Sequence, residues 1–186
     1  MRLFVAIELV QGVRSALQNV QSRLGASCQG VRWIPAEQLH VTLKFLGDVR
    51  DGDVPAVAEA MAGAVAGVTP FEVEVAGCGC FPPRGPARIV WAGLREDTGT
   101  LPRMAADVDA AMEHLGFERE RRPFSGHITI GRVREDRPQS GIREATQASA
   151  YDPVSQTVGA VTLMSSVLSP KGPTYTAVRT VTLGQA

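Results

Sequence analysis

The chain repeats itself at a fixed offset, and that limits its folds more than any other feature. HVTLKFLG begins at His40 and HITIGRV at His127, 87 residues later. A second pair keeps the same offset: Pro83-Arg84-Gly85-Pro86 and Pro170-Lys171-Gly172-Pro173. Each Pro–Gly segment follows one strand-like run and precedes another. These are FEVEVAGCGCF and ARIVWAGL in the first copy, VGAVTLMSSVL and TYTAVRTVTL in the second. Each therefore reads as a β-hairpin. Self-similarity at one period is the mark of a duplicated unit.

Helical spacing fills the same scheme. Residues 13–25 place Val13, Leu17, Val20 and Leu24 on one stripe, and residues 101–116 do so with Met104, Val108, Met112 and Leu115. Each segment closes on Leu-Gly, which predicts a glycine stop. A further helix is expected after each histidine strand, around 53–66 and 139–149. The order is strand, helix, HxT strand, helix, hairpin, given twice. It predicts an α+β fold: two lobes of antiparallel sheet flanked by helices, related by a pseudo-twofold axis, with a cleft between them. The expectation is a single bilobal domain over 1–186, with lobes near 1–94 and 95–186. The boundaries are soft, because the strands near 87–94 and 174–183 could join either lobe.

Side chains two apart on a strand share a face. His40, Thr42 and Lys44 are thus expected together, with Val41, Leu43 and Phe45 on the buried side. His127 and Thr129 share a face above Ile128 and Ile130. A lone HxT is a weak signal. Two of the three histidines carry it here, in matching strands, and the twofold brings them face to face. The third, His114, lacks the pattern and sits near a helix end, where a surface role is expected.

Two imidazoles across a cleft suit in-line displacement at a phosphodiester. One takes a proton from the nucleophile and the other gives a proton to the leaving oxygen, with ordinary pKa values near ~6.5. Threonine hydroxyls can donate to the non-bridging oxygens. This chemistry needs no metal or cofactor, and a zinc site lacks a third ligand at any diagnostic spacing. The net charge is zero, but residues 1–50 carry +3, residues 51–118 −7 and residues 119–143 +4. Both HxT pairs lie in positive segments, which favours an anionic ligand. Cys28, Cys78 and Cys80 have no paired spacing and read as reduced thiols. With no apolar run long enough for a membrane span and no recognisable export signal, a cytoplasmic protein is expected.

HVTLKFLGDV, HITIGRV and the opening RLFVAIEL resemble the two-histidine phosphoesterase superfamily. Within it the chain is most similar to the bacterial and archaeal RNA 2′,3′-cyclic phosphodiesterases, some of which were first described as 2′-5′ RNA ligases. The resemblance spans essentially the whole chain. It implies hydrolysis of RNA or nucleoside 2′,3′-cyclic phosphate to the 2′-phosphate. His40 would be the general acid that protonates the leaving 3′-oxygen, His127 the general base that activates water, and Thr42 and Thr129 the phosphate binders. It also implies a phosphate-binding role for Arg132, five residues after the second histidine. Simple alternation sets Arg132 on the wrong face, which a bulge at Gly131 would correct. The family often has Pro where this chain has Gly126. The expected partners are RNA ends or nucleotides carrying a 2′,3′-cyclic phosphate, met by a monomer away from membranes. Two alternatives stay open from the residues: a non-catalytic RNA-binding module, and a superfamily phosphodiesterase for another 2′-linked or cyclic phosphate. Whether ligation, the reverse direction, is used is likewise open.

Overall fold

The computed structural model describes residues 1–134, 141–170 and 172–184. Lys171 of the second Pro–Gly turn and residues 139–140 of the fourth expected helix lie outside these. The elements run β1 (Arg2–Glu8), α1 (Gln11–Ser27), β2 (Val31–Trp33), β3 (His40–Asp48), α2 (Val54–Val65), β4 (Phe71–Phe81), β5 (Ile89–Arg95), α3 (Thr100–Glu113), β6 (His127–Val133), α4 (Ile142–Ala148), β7 (Val154–Val158), β8 (Ala160–Ser169) and β9 (Gly172–Thr182). A 3₁₀ turn at Ala36–Gln38 leads into β3. The fold is the expected α+β arrangement. No helix among the described residues is long and apolar enough to cross a membrane.

One antiparallel sheet runs through the molecule in the order β7-β4-β5-β6-β3-β1-β8-β9, with β2 paired to β6. It is two half-sheets meeting at β6 and β3, whose only ladder pair among the described residues is Val41 with Ile128. The helices pack on one face. Leu3, Val5, Ile7, Val41, Val90, Ala92, Ile128 and Ile130 meet Val13, Leu17 and Val20 of α1, Met61 of α2, and Met104, Val108 and Met112 of α3. Each of these side chains is almost fully buried. Each large one contributes about 1.5–3 kcal/mol on leaving water. The other face of the sheet is left open where the histidine strands meet.

The hairpins are exchanged between the halves. The β4–β5 hairpin, from the first half of the sequence, pairs through β5 with β6. The β8–β9 hairpin, from the second half, pairs through β8 with β1. The expected boundary near residue 94 is therefore not a boundary in the sheet. The two hairpins also turn opposite ways: β5 returns on the inner side of β4, whereas β9 returns on the outer side of β8 and forms the edge. Local turn chemistry is the same in both copies, so it does not specify the neighbour.

The glycine stops differ as well. Gly116 has φ +88 and ends α3, as expected. α1 instead runs through Gly25 to Ser27. There the missing side chain lets the Trp33 indole approach, since a Cβ would lie 3.2 Å from Trp33 Nε1.

Candidate active site

The single Val41–Ile128 pair is the middle residue of both HxT motifs. Antiparallel register about that point sets His40 across from Thr129 and Thr42 across from His127. The local twofold of the sequence thus passes through the junction of the half-sheets. All four side chains are half-buried on the face opposite the helices.

The imidazoles are oriented in the same way. His40 Nδ1 donates to the Gln38 carbonyl at 2.7 Å, and His127 Nδ1 donates to the Ser125 carbonyl at 2.8 Å. A carbonyl only accepts, so the proton sits on Nδ1 and Nε2 is the atom free to exchange protons. Each ring also meets an aromatic edge: His40 against Tyr175 at 5.3 Å and 89°, His127 against Phe81 at 5.1 Å and 83°. Phe81 and Tyr175 flank the two Pro–Gly turns. Those turns are anchored in turn. Arg143 donates to the carbonyls of Pro82, Pro83 and Gly85, and Gln38 Nε2 donates to the Pro173 carbonyl at 2.9 Å. Gly126 keeps an ordinary backbone and packs against Leu94, Leu101 and Phe124. Packing therefore fixes the entry to β6.

Two β-bulges set which side chains reach the open face. In β6, Trp91 pairs with Thr129 and Val90 with Gly131, so Ile130 is an extra residue. Ile130 and Gly131 both turn to the core, and Arg132 returns to the face of His127 and Thr129. The bulge is held from inside the fold: the buried amide of Gln21 donates to the carbonyls of Ile130 and Ile34. In β3, Ala6 pairs with Thr42 and Val5 with Lys44, so Leu43 is extra. This corrects the expected face of Lys44. Its ammonium is buried on the helix side, 2.5 Å from Asp109 Oδ1 of α3 and 2.5 Å from the Glu118 carbonyl. Phe45 is correspondingly on the open face, 69% exposed, rather than in the core. At the offset of 87, Phe45 is the counterpart of Arg132.

Burial is the main influence on His40 and pushes its pKa below the ordinary imidazole value. The hydrogen bond to Gln38 opposes this, and the nearby Arg132 charge adds to it. The hydroxyls of Thr42 and Thr129 have no protein hydrogen-bond partner among the described residues and are free to donate. No cluster of three His, Cys, Asp or Glu side chains among the described residues is placed to hold a metal. His114 is exposed just beyond α3. The three cysteines are unpaired, and burial pushes the Cys78 thiol up to about 11.

The family model described as LigT like Phosphoesterase matches residues 7–91 and again 93–175. The chain belongs to the LigT-like phosphoesterase family. The RNA 2′,3′-cyclic phosphodiesterase of Archaeoglobus fulgidus is 33% identical over 177 residues, covering 94% of this chain and 96% of that one. The protein of the same name from Thermotoga maritima is 31% identical, covering 94% and 91%. Among solved structures, TT0787 of Thermus thermophilus superposes with a TM-score of 0.81 at 30% identity, covering 98% of each chain. Escherichia coli LigT complexed with 3′-AMP gives 0.77 at 25% identity, covering 99% of this chain and 98% of that one. In this family member the paired motifs, the two bulges and the aromatic contacts form one arrangement. Residue patterning had not singled out Phe81 and Arg143. Their signal was adjacency to the Pro–Gly turns, or, for Arg143, a place on the helix after the second motif.

Proposed function

We propose that this chain hydrolyses RNA or nucleoside 2′,3′-cyclic phosphates to 2′-phosphomonoesters by acid–base catalysis from two histidines. The observation that carries the proposal is the Val41–Ile128 junction, which centres both HxT motifs on one point of the open face. The relatives named RNA 2′,3′-cyclic phosphodiesterase supply the substrate class. His127 Nε2 takes a proton from water as its oxygen attacks phosphorus in line. The P–O3′ bond breaks, and His40 Nε2–H protonates the departing 3′-oxygen. Thr42 and Thr129 donate to the non-bridging oxygens as charge gathers there. Arg132, on the same face, binds the phosphate as a fixed cation. Phe45 offers an exposed ring beside Phe4 for a base to lie on. We place all of this in one monomer, as a single bilobal domain whose lobes are the half-sheets. A reducing, cytoplasmic setting is supported by the unpaired thiols.

The test is conversion of a nucleoside 2′,3′-cyclic phosphate in excess chelator, with the product identified. The 2′-phosphate is expected. The 3′-phosphate would reverse the bond assignment, and tight binding without turnover would make the cleft a binding module.

The roles of the two histidines have a pH signature. In the free protein His40 is held below the usual ~6.5. As the acid it must be protonated, so kcat/KM should fall as pH rises through that lowered value. The falling limb then lies on the acid side of an ordinary imidazole. A bound phosphate anion favours the charged imidazole, so the falling limb of kcat should lie at higher pH than that of kcat/KM. Rate profiles between pH 4 and 9 check both limbs. A kcat/KM that instead rises through the lowered value and stays high would make His40 the base.

A further inference from the structure

β2 is only three residues long, and it places a second arginine beside Arg132. Its register against β6 sets Arg32 directly opposite Arg132. The neighbours of Arg32 show which way it points. A Cβ built on Gly131 would lie 2.6 Å from Val31 Cγ1 and 3.0 Å from Trp33 Cε3, so Val31 and Trp33 share the helix side with Gly131. Trp33 indeed reaches Gly25 of α1. Alternation then sends Arg32 and Arg132 together to the open face, and both are exposed.

Like charges directly opposite on a sheet repel. No carboxylate among the described residues pairs with either guanidinium, although the arginines at 50, 95, 119, 121, 122 and 179 all have one. The corner is more basic still. Burial raises the Tyr175 phenol, and Arg132, Arg2 and Arg32 each offset part of that rise. Three cations therefore act on the phenol of the ring that packs on His40. Main-chain pairing holds them there, and a bound polyanion would offset their repulsion.

Arg132 is already assigned to the reacting phosphate. Directly opposed Cβ atoms lie about 4.5–5.5 Å apart, and arginine arms are long enough to spread from there to two separate phosphates. We infer that Arg32 binds the phosphodiester immediately 5′ of the terminal nucleotide, so that the cleft selects ends of RNA chains over free cyclic nucleotides. This inference rests on the reading of the cleft as a cyclic phosphodiesterase.

The experiment compares kcat/KM for a short oligoribonucleotide ending in a 2′,3′-cyclic phosphate with that for a nucleoside 2′,3′-cyclic phosphate, in wild type, Arg32→Ala and Arg32→Lys. The ratio of the two should fall about 10-fold in Arg32→Ala, the size expected for one charge-assisted contact. The loss should lie in KM, and Arg32→Lys should recover part of it. The log–log salt slope for oligonucleotide binding should also shrink by about 0.7, one phosphate contact on a single strand. An unchanged ratio overturns the inference, as does an equal loss on both substrates. If the wild type turns over neither substrate, the catalytic reading fails by itself. The Kd of an oligoribonucleotide with a 3′-terminal phosphate then decides: a rise of about 10-fold in Arg32→Ala supports the contact, and an unchanged Kd removes it.

Discussion

His40→Ala and His127→Ala should each lower turnover of a 2′,3′-cyclic phosphate by about 10²–10⁴-fold, the usual worth of one positioned proton-transfer group. The two imidazoles are held alike, each with Nδ1 fixed by a carbonyl and each flanked by an aromatic edge. Either loss leaves half of the proton traffic without a carrier. The double variant should be little worse than the poorer single, because the two groups act as a unit. Steady-state rates at the pH optimum measure this, with thermal unfolding as a check on the fold. Both histidines lie on the open face, outside the apolar core. A variant that keeps wild-type turnover would exclude that histidine from proton transfer.

Lys44→Ala should cost about 3–5 kcal/mol of unfolding free energy, the loss when one partner of a buried ion pair is removed. The Lys44 side chain is 7% exposed and that of Asp109 12%. Asp109 also receives the Glu120 backbone N–H, so the pair fastens β3, α3 and the segment that leads to His127. For a chain of this length the expected drop in Tm is about 6–20 °C. Replacing both partners together, as Lys44→Met with Asp109→Leu, should recover much of the loss, since no lone charge is then left buried. Chemical denaturation of the two variants gives the comparison. A Lys44→Ala protein with wild-type stability would mean that the ammonium is not buried in solution.

The sequence was legible where a pattern repeats over many residues. The offset of 87, the stripes of Val13–Leu24 and Met104–Leu115, and the alternation around His40 and His127 led directly to the α+β elements and to the face holding both HxT pairs. Legibility stopped at single-residue irregularities. A bulge after Thr42 reverses the phase at Lys44 and Phe45 before a second shift at Leu46 restores it, and nothing in LKFL marks where the extra residues fall, so Lys44 and Phe45 were set on each other's faces. Gly131 was a usable marker in the second copy because glycine suits a bulge. Short elements were the other gap. VRW at 31–33 is too brief to show a period, and so Arg32 drew no notice. Strand neighbours were hidden for a third reason. The turns at Pro83–Pro86 and Pro170–Pro173 specify that the chain reverses, but which strand lies alongside depends on packing far away in the sequence.

The exchange of hairpins constrains how the molecule can be made. As the chain is synthesised, β1 and β3 exist from the outset, but β8, which flanks β1, is built only after residue 159. Conversely, β4 and β5 wait for β6 and β7. Neither side of the cleft is complete until the chain has passed residue 153, after which β7 begins. Long-range pairings of this kind slow folding, because loop closure precedes any gain in contact. The gain for the finished protein is that neither wall can come apart alone: peeling one back pulls on strands that belong to the other.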